Sequence, residues 1–491
     1  MQKDEPPEAI RAAYDPERFR ADGHRLIDRL ADYLADIARP SGPSRLPVLP
    51  WTPPGALAAD FPADFPEAPT DPELHSDALA ALLDRVLLHS NHLHHPRFIG
   101  HQVTAPLPLA ALCDLVSALL NNGMAVYEMG PASTAMERSA IRWLADRLDL
   151  GPHADGVLTS GGSIGNLTAL LAARRARAGF DVWGAGDAAG PNLAVLASTQ
   201  SHYCVDRAVR IMGWGAGGVV PVAVDPRFRL RPEALPAALE GAERQGKQVI
   251  GVVASAGSTA AGAFDPLDAV ADFCEARGLW MHVDGAHGAA AALSPKYRHL
   301  VRGAERADSV VWDAHKMMLM PALATAVLFR DGRRSYEAFA QEASYLFLGE
   351  EALFDLGART LECTKRMMSL KLYAGLAIGG TGLFSDYVTR AFDLGRRFGE
   401  MLREAGDFEL PVDPACNIVL FRHVPEGAGD GEALDALQER ARRALRDDGS
   451  FYIVQTRLAG RTWLRVTIIN PLTTEDDLAA LLEAVRRAAK A

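Results

Sequence analysis

Residues 280–288 read WMHVDGAHG, and residues 309–316 read SVVWDAHK. In each stretch a short apolar run ends at an acidic residue that is followed by histidine. Short apolar runs of this kind are typical of strands buried in a parallel sheet. The carboxyl ends of neighbouring parallel strands meet at one sheet edge, where ligands bind in α/β folds. We therefore expect Asp284, His315 and Lys316 to lie together at that edge.

A glycine-rich segment, SGGSIGN (160–166), follows another apolar run at 156–159 and precedes a helix expected over 167–177. We call it the glycine turn. Glycine lets the backbone approach a ligand closely, and a helix N-terminus offers free N–H groups to a phosphate. The turn matches neither the Walker loop nor GxGxxG. The turn therefore predicts a phosphate site. The alternative is that glycine is needed only because the turn leaves no room for a side chain.

The wider pattern predicts an α/β fold. Helical segments alternate with apolar runs, which we expect to form strands at 193–197, 249–254, 279–283, 309–312 and 325–329. This alternation indicates a large mixed sheet flanked by helices. Later strands at 417–422 and 463–469, and a final helix from 474, indicate a smaller C-terminal α+β domain. We place the domains at 1–95, 96–365 and 366–491.

The N-terminal region predicts a helix followed by an extended arm. Apolar residues recur at helical spacing over 15–38, and residues 40–72 contain ten prolines. Trp51, Phe61 and Phe65 in the arm would be costly to leave in water. Arms with apolar anchors often wrap a second subunit, so we expect residues 1–95 to support a homodimer.

Composition excludes several classes of function. The chain of 491 residues has a formal net charge of −11 and no long run of basic residues, which disfavours nucleic acid and membrane surfaces as partners. No apolar run approaches the roughly 18 residues that span a bilayer. The five cysteines include no CxxC pair, which argues against a disulfide framework. The N-terminus is rich in acids and prolines, unlike a signal peptide, so we expect a cytoplasmic protein.

Four histidines at 89, 92, 94 and 95 suggest a metal site by their density. Supporting carboxylate or cysteine ligands are not evident nearby, so we expect no metal here.

A phosphate site, an acid and a lysine at one sheet edge are the parts that pyridoxal phosphate requires. Lysine forms an imine with the aldehyde of this cofactor. An ionised Asp284 would keep the pyridine nitrogen protonated, which makes the ring an electron sink. The alternative reading is an ordinary ion pair between Asp284 and Lys316. A phosphate-binding oxidoreductase is a further alternative, disfavoured by the missing GxGxxG.

From about His95 onward the sequence resembles the group II pyridoxal-phosphate-dependent amino-acid decarboxylases. The resemblance rests on motifs in the family's order: HPRF (95–98), TSGGSIGNLTALLAAR (159–174), QSH (200–202), GSTAAGAFDP (257–266), WMHVDGAHG (280–288), ADSVVWDAHKMM (307–318) and SYLF (344–347). The branch with acidic substrates is most similar around 298–318.

The resemblance implies a fold-type-I, transferase-like enzyme and a role for each matching residue. Lys316 would hold the cofactor, Asp284 would pair with its ring nitrogen, and Ala286 and His202 would cover the two ring faces. Gly162, Ser163 and His315 would contact the phosphate. Tyr345 would protonate the substrate carbanion after carbon dioxide leaves, and Arg465 would bind the substrate α-carboxylate.

Two positions depart from the family pattern. Asp313 stands where relatives commonly have asparagine, and a second anion beside a phosphate is unfavourable unless it is paired with a cation. We therefore do not expect it to contact the phosphate. Gly100 and His101 replace an Asn-Gln pair whose glutamine reads a distal carboxylate. His101 would hold an acidic group if protonated, or stack against an aromatic one.

The expected reaction is decarboxylation of an L-amino acid to its amine, with acidic substrates of the glutamate, aspartate or cysteine sulfinate type slightly favoured. An aromatic or diamino acid decarboxylase and a decarboxylation-dependent aldehyde synthase are the enzymatic alternatives. A catalytically silent dimeric regulator is the non-enzymatic one.

Overall fold

The structure is a computed structural model that describes residues 5–38, 46–67, 74–339, 354–429 and 431–490. No helix within these ranges is long and apolar enough to cross a membrane.

A mixed sheet forms the centre of the larger part of the molecule. Its strand order is β1-β7-β6-β5-β4-β2-β3, with β7 antiparallel to both neighbours and the remaining pairs parallel. The strands are β1 (Asp155–Thr159), β2 (Asn192–Ser198), β3 (Val219–Val222), β4 (Lys247–Ser255), β5 (Trp280–Asp284), β6 (Ser309–Asp313) and β7 (Thr325–Phe329). The large mixed sheet expected from the sequence is confirmed, and β3 is an added edge strand.

Helices cover both faces of this sheet, and separate apolar cores lie beneath them. Strands buried on both faces need continuous apolar runs, which is why the alternation of runs and helices predicts the layers. The helices of the chain are α1 (Glu8–Ala13), α2 (Pro16–Ile37), α3 (Pro54–Ala59), α4 (His75–Leu88), α5 (Pro108–Leu120), α6 (Pro131–Arg147), α7 (Gly162–Arg177), α8 (Tyr203–Ile211), α9 (Leu235–Arg244), α10 (Leu267–Arg277), α11 (Ala314–Met317), α12 (Arg333–Phe339), α13 (Ser369–Ala377), α14 (Thr381–Ala405), α15 (Glu432–Asp448) and α16 (Glu475–Lys490).

The helix after the glycine turn starts earlier than the sequence suggests. We expected it from Leu167, whereas α7 begins at Gly162. Only Ser160 and Gly161 separate β1 from α7, and Gly161 has φ +124°, which only glycine adopts readily. The remaining glycines therefore lie in the first helical turn.

A smaller antiparallel sheet with order β10-β11-β9-β8 lies in the C-terminal part. Its strands are β8 (Phe408–Glu409), β9 (Ile418–His423), β10 (Val454–Leu458) and β11 (Arg461–Thr467), and α14, α15 and α16 share a core with it. The segment around Ile99 also joins this part: the Ile99 N–H donates to the Tyr452 carbonyl at 3.2 Å, and the Thr467 N–H donates to the Ile99 carbonyl at 2.7 Å. The domain limits drawn from the sequence stay a prediction.

The N-terminal helix is confirmed as α2, but the proline-rich arm is anchored on its own chain. Val48 is buried against Phe98 and Tyr452. The Arg446 guanidinium lies over the Trp51 ring, 4.2 Å from its centroid. These contacts within the chain cover part of the apolar surface of the arm that we expected a second subunit to cover.

Candidate active site

A cavity opens at the carboxyl edge of the large sheet. Its lining includes all seven residues for which the sequence predicts cofactor contacts: Gly162, Ser163, His202, Asp284, Ala286, His315 and Lys316. Strand register explains their convergence. Asp313 at the end of β6 lies opposite Thr325 of β7, which lies opposite Thr159 at the end of β1. The glycine turn after β1 is thereby brought beside the lysine that follows β6.

Lys316 lies on the single helical turn α11, and its ammonium contacts Asp313. The distance from Lys316 Nζ to Asp313 Oδ2 is 2.9 Å. Burial opposes the charge of the lysine, but the charge and hydrogen bond of Asp313, together with Asp284, outweigh it and raise the pKa of Lys316. The partner of the lysine is therefore Asp313, and the simple Asp284–Lys316 pair considered for the sequence is not the arrangement found.

Asp284 ends β5 and lies at the cavity wall. Its Oδ1 accepts a hydrogen bond from the Ala286 N–H at 3.2 Å, which leaves Oδ2 for a ligand. Its charge acts on both His202 and Lys316, since it opposes loss of a proton from each. An acid in this position can pair with a protonated ring nitrogen.

The amino end of α7 carries groups that could bind a phosphate. Helix N-termini have free N–H groups and a partial positive charge, and Gly162 and Ser163 are the first two helical residues here. A Cβ atom on Gly162 would lie 3.0 Å from Asp313 Oδ2, so a side chain would crowd this end of the cavity. His315 lies beside it, with its Nδ1 bonded to the Ala324 carbonyl at 3.0 Å and its Nε2 left for a ligand.

A buried hydrogen-bond chain fixes the glycine turn to the sheet. Asn166 Nδ2 donates to the Gly162 carbonyl at 2.8 Å, and Asn166 Oδ1 lies 2.8 Å from His282 Nε2. Ser309 Oγ contacts His282 Nδ1 at 2.8 Å. Burial lowers the pKa of His282 to about 4, so its ring is neutral and Nε2 is the donor. The first turn of α7 is thereby tied to β5 and β6.

His202 occupies the opening of the cavity at the N-terminus of α8. Its Nδ1 accepts a hydrogen bond from the Cys204 N–H at 3.3 Å, which leaves Nε2 to carry the proton of the neutral ring. Burial lowers the pKa of His202. A neutral imidazole with a free N–H can cover one face of a planar ligand and donate a hydrogen bond.

Arg465 on β11 reaches the loop that lines the other side of the cavity. Its Nη1 donates to the Thr259 carbonyl at 2.9 Å, while its buried Nε has no partner among the described residues. Burial lowers the pKa of Arg465 to about 10. His101 lies nearby, with its ring centroid 5.5 Å from that of Tyr452. Partial burial and the charges of Arg465 and Arg442 lower the pKa of His101, which favours its neutral form.

Residues 54–424 match the family model described as the pyridoxal-dependent decarboxylase conserved domain. The chain belongs to this family. It is 33% identical to the cysteine sulfinic acid decarboxylase of Rattus norvegicus, over 80% of this chain and 82% of that one. It is 26% identical to the aromatic-L-amino-acid decarboxylase of Bacillus atrophaeus, over 96% of each. The crystal structure of mouse CSAD superposes with a TM-score of 0.89 at 28% identity, covering 97% of this chain and 99% of that one.

The protein is therefore a pyridoxal-phosphate-dependent amino-acid decarboxylase of group II, a carboxy-lyase. The cavity fits this cofactor chemically. It combines helix N–H groups at Gly162 and Ser163 for a phosphate, a carboxylate at Asp284 for a ring nitrogen, and an amine at Lys316 for an aldehyde. An oxidoreductase of the doubly wound type, considered for the sequence, is excluded by the family match.

Several side chains of the decarboxylase cavity received no role from the sequence. They are Asn166, Ser255, Ser258, Thr259 and His287. Two of them, Ser258 and Thr259, lie in the motif GSTAAGAFDP (257–266), so the family motif indicated this segment but not the role of either residue. His287 is buried, and its Nε2 contacts Asn417 Oδ1 at 2.8 Å. Asn417 comes from the C-terminal part, which sequence spacing alone does not place at the site.

The four clustered histidines have separate partners in the decarboxylase. His92 contacts the Tyr33 hydroxyl at 3.1 Å, and His94 contacts the Pro106 carbonyl at 3.0 Å. His89 lies 3.3 Å from Asp60, and His95 accepts the Arg97 N–H at 3.0 Å. Within the described ranges no three metal-ligating side chains converge.

Tyr345, the proton donor expected from the resemblance, lies outside the described residues.

Proposed function

We propose that this decarboxylase acts on an L-amino acid whose side chain carries a second acid group, of the glutamate, aspartate or cysteine sulfinate type. One observation carries the proposal. The Nε atoms of Arg465 and Arg442 are buried, and neither has a hydrogen-bond partner among the described residues. The charges of both guanidinium groups lower the pKa of His101. Arg465 is a buried cation with a neutral carbonyl partner and Arg442 is a partly buried cation, so anionic ligands would stabilise both.

The cofactor-binding roles follow the lining of the cavity. Pyridoxal phosphate, when bound, supplies an aldehyde for attachment and a protonated ring that withdraws electrons from the substrate α-carbon. Lys316 is the attachment point, and Asp284 holds the ring-nitrogen proton. Gly162, Ser163 and His315 bind the phosphate, as a helix N-terminus and a neighbouring imidazole can.

Ala286 and His202 would hold the ring of the cofactor between them. Ala286 would allow close contact on one face because its side chain is small. His202 would cover the other face, which suits an imidazole, and its Nε2–H would be available as a hydrogen-bond donor to the substrate.

Substrate recognition divides between the two arginines. Arg465 binds the α-carboxylate, because its one engaged N–H fixes the side chain against Thr259 while its remaining donors stay available. Arg442 on α15 binds the distal acid. His101 is the third substrate-binding residue, and its lowered pKa makes it a neutral hydrogen-bond donor there rather than a cation.

Proton return to the α-carbon follows the loss of carbon dioxide, and we assign it to Tyr345. His202 would keep water away from the reacting carbon. The aldehyde-forming alternative requires the carbanion to meet dioxygen before a proton arrives, so a chain that carries both residues favours the amine product.

The aromatic alternative has one observation in its favour. His101 and Tyr452 form a ring pair, and the relatives include an aromatic-L-amino-acid decarboxylase. The diamino alternative is disfavoured, because a side-chain ammonium would face two guanidinium groups.

The deciding experiment measures carbon dioxide release from a panel of glutamate, aspartate, cysteine sulfinate, phenylalanine, tyrosine, tryptophan, dihydroxyphenylalanine and 2,4-diaminobutyrate. We expect the largest kcat/KM for a substrate with two acid groups. A largest value for an aromatic or diamino acid would overturn the acidic assignment. A visible absorbance band that borohydride fixes to Lys316 tests the attachment point separately.

We further propose that the decarboxylase is a homodimer with its active site near the interface. Helix α5 packs on α13 with one face and exposes the other, which carries Leu112, Leu115, Val116, Leu119 and Leu120, each 45% exposed or more. Contiguous apolar surfaces of this kind mark interaction sites. Light scattering should give a mass twice that of the 52.8 kDa chain, and Leu119→Glu should lower it. A monomeric wild type would reject the dimer.

The cytoplasmic location expected from the sequence stays a prediction.

A further inference from the structure

We infer that Asp313 is a positioning residue that holds Lys316 as an ammonium whenever the lysine is not joined to the cofactor. Asp313 thereby sets the pH range in which the cofactor attaches. The inference rests on the proposed role of Lys316 as the attachment point, and it assigns a task to an acid that no other part of the mechanism uses.

The first support is the environment of the Asp313 carboxylate. The residue is 1% exposed, so its charge must be met by neighbouring groups. Oδ1 accepts a hydrogen bond from Thr325 Oγ1 at 2.6 Å, and Oδ2 lies 2.9 Å from Lys316 Nζ. His315 Nε2 lies 3.6 Å from Oδ2. Each oxygen therefore has a defined partner, and the lysine is the closest cation.

The second support is the position of Asp313 relative to the phosphate site. Its carboxylate lies beneath the first residue of α7, because a Cβ on Gly162 would contact both of its oxygens at 3.0 and 3.2 Å. An anion there opposes a phosphate unless it is neutralised. The ammonium of Lys316 supplies that neutralisation while the lysine is free.

Other charged and titratable groups also face the lysine. Asp284 on β5 and Cys204 on α8 favour its protonated form less strongly than Asp313 does. His202 and His287 feel the lysine charge, and both rings have lowered pKa values through burial. Asp313 is the group among them that contacts Nζ directly, so its removal should have the largest effect.

The consequence concerns attachment of the cofactor. The ammonium must first lose one proton to solvent and leave Asp313. The neutral nitrogen then forms a C=N bond with the aldehyde, whose oxygen leaves as water. The tighter Asp313 holds the ammonium, the higher the pH at which attachment reaches half its maximal rate. When a substrate amine displaces the lysine, the lysine leaves as a neutral amine, and the same carboxylate can hold it once the amine takes up a proton from solvent.

The test follows attachment in cofactor-free enzyme by absorbance across a pH series, with wild type, Asp313→Asn and Thr325→Val. Asparagine keeps the shape and can still accept the Thr325 hydrogen bond. We expect Asp313→Asn to lower the midpoint by about one pH unit or more, which makes attachment about tenfold faster below it. Thr325→Val, which leaves the Lys316 contact in place, should not lower the midpoint.

Pyridoxal without its phosphate serves as a second probe, because it lacks the anion that Asp313 would repel. If Asp313→Asn lowers the pH midpoint of attachment for both pyridoxal phosphate and pyridoxal, Asp313 acts on the proton of Lys316. A fall seen with pyridoxal phosphate alone, or no fall with either, would overturn the inference.

A measurement on the wild type keeps the idea testable if Asp313→Asn does not fold. Reductive methylation of the cofactor-free chain, read by mass spectrometry over pH, reports the proton on Lys316 directly. An apparent pKa at or below that of ordinary lysines would contradict the inference. If borohydride fixes the cofactor to a residue other than Lys316, the proposed function fails instead, so the two failures are distinguishable.

Discussion

Replacement of Arg465 by methionine probes the substrate site with little expected change in the cofactor site. Arg465 is 7% exposed, and burial lowers its pKa to about 10. This lowering of the pKa corresponds to a free-energy cost of about 3 kcal/mol for keeping the buried guanidinium charged. A bound carboxylate would offset that cost. Methionine has a similar length and no charge. It removes the single hydrogen bond to the Thr259 carbonyl as well.

The expected result is a large loss in catalysis without a loss in stability. If the carboxylate recovers the cost of about 3 kcal/mol, kcat/KM should fall about 100-fold, mainly through KM. The absorbance band of the bound cofactor should remain. The melting temperature of the cofactor-free protein should not fall, because a buried cation without a carboxylate partner contributes little to folding.

Steady-state kinetics, the cofactor spectrum and thermal unfolding together check this reasoning. Arg465→Lys is the matched control, since it keeps the charge but loses the planar donor geometry, and it should recover part of the KM effect. Loss of the cofactor band in Arg465→Met would mean that the arginine is structural. An unchanged KM would mean that another residue binds the α-carboxylate.

The remaining predictions concern the distal acid, the product and the fold. Arg442→Gln should raise KM for acidic substrates more than for aromatic ones, and an equal effect on both classes would reject its role. Tyr345→Phe should shift the product from amine toward aldehyde and hydrogen peroxide when dioxygen is present, whereas an unchanged amine yield without peroxide would remove its assignment. Lys365→Met should destabilise the chain by about 3–5 kcal/mol by leaving the buried Glu137 charge without a cation, with partial recovery on adding Glu137→Leu, measured by denaturant unfolding. A stable Lys365→Met would contradict that reading.

The buried ion pair of Lys365 and Glu137 shows what sequence patterns leave out. Glu137 on α6 also accepts the Leu158 N–H at 2.9 Å, and Lys365 Nζ donates to the Leu158 carbonyl at 2.7 Å. The pair therefore fixes the strand that leads into the glycine turn. Its members are 228 positions apart, and apolar periodicity carries no information about such a pairing.

The fold was largely predictable because its signals are local. The central strands of the large sheet are buried on both faces, so each is a short apolar run, and the strands expected at 279–283 and 309–312 match β5 and β6 to within one residue at each end. The edge strand β3 was not predicted, since three of its four residues are not buried and one of these is Pro221. The start of α7 was placed late because glycines in a first helical turn resemble a loop.

The sequence by itself determined the layered α/β fold, because apolar runs alternate with helical segments. It also determined which side chains lie at one sheet edge, because polar residues directly follow the apolar runs that form the strands. It also determined the family, through several spaced motifs. Only the tertiary structure decided which groups are partners. Asp313, Thr325 and Thr159 share one row because β7 runs antiparallel between β6 and β1. That register brings the Thr325 hydroxyl to Asp313 Oδ1. Lys316, three residues after Asp313 on α11, contacts Asp313 Oδ2 rather than Asp284.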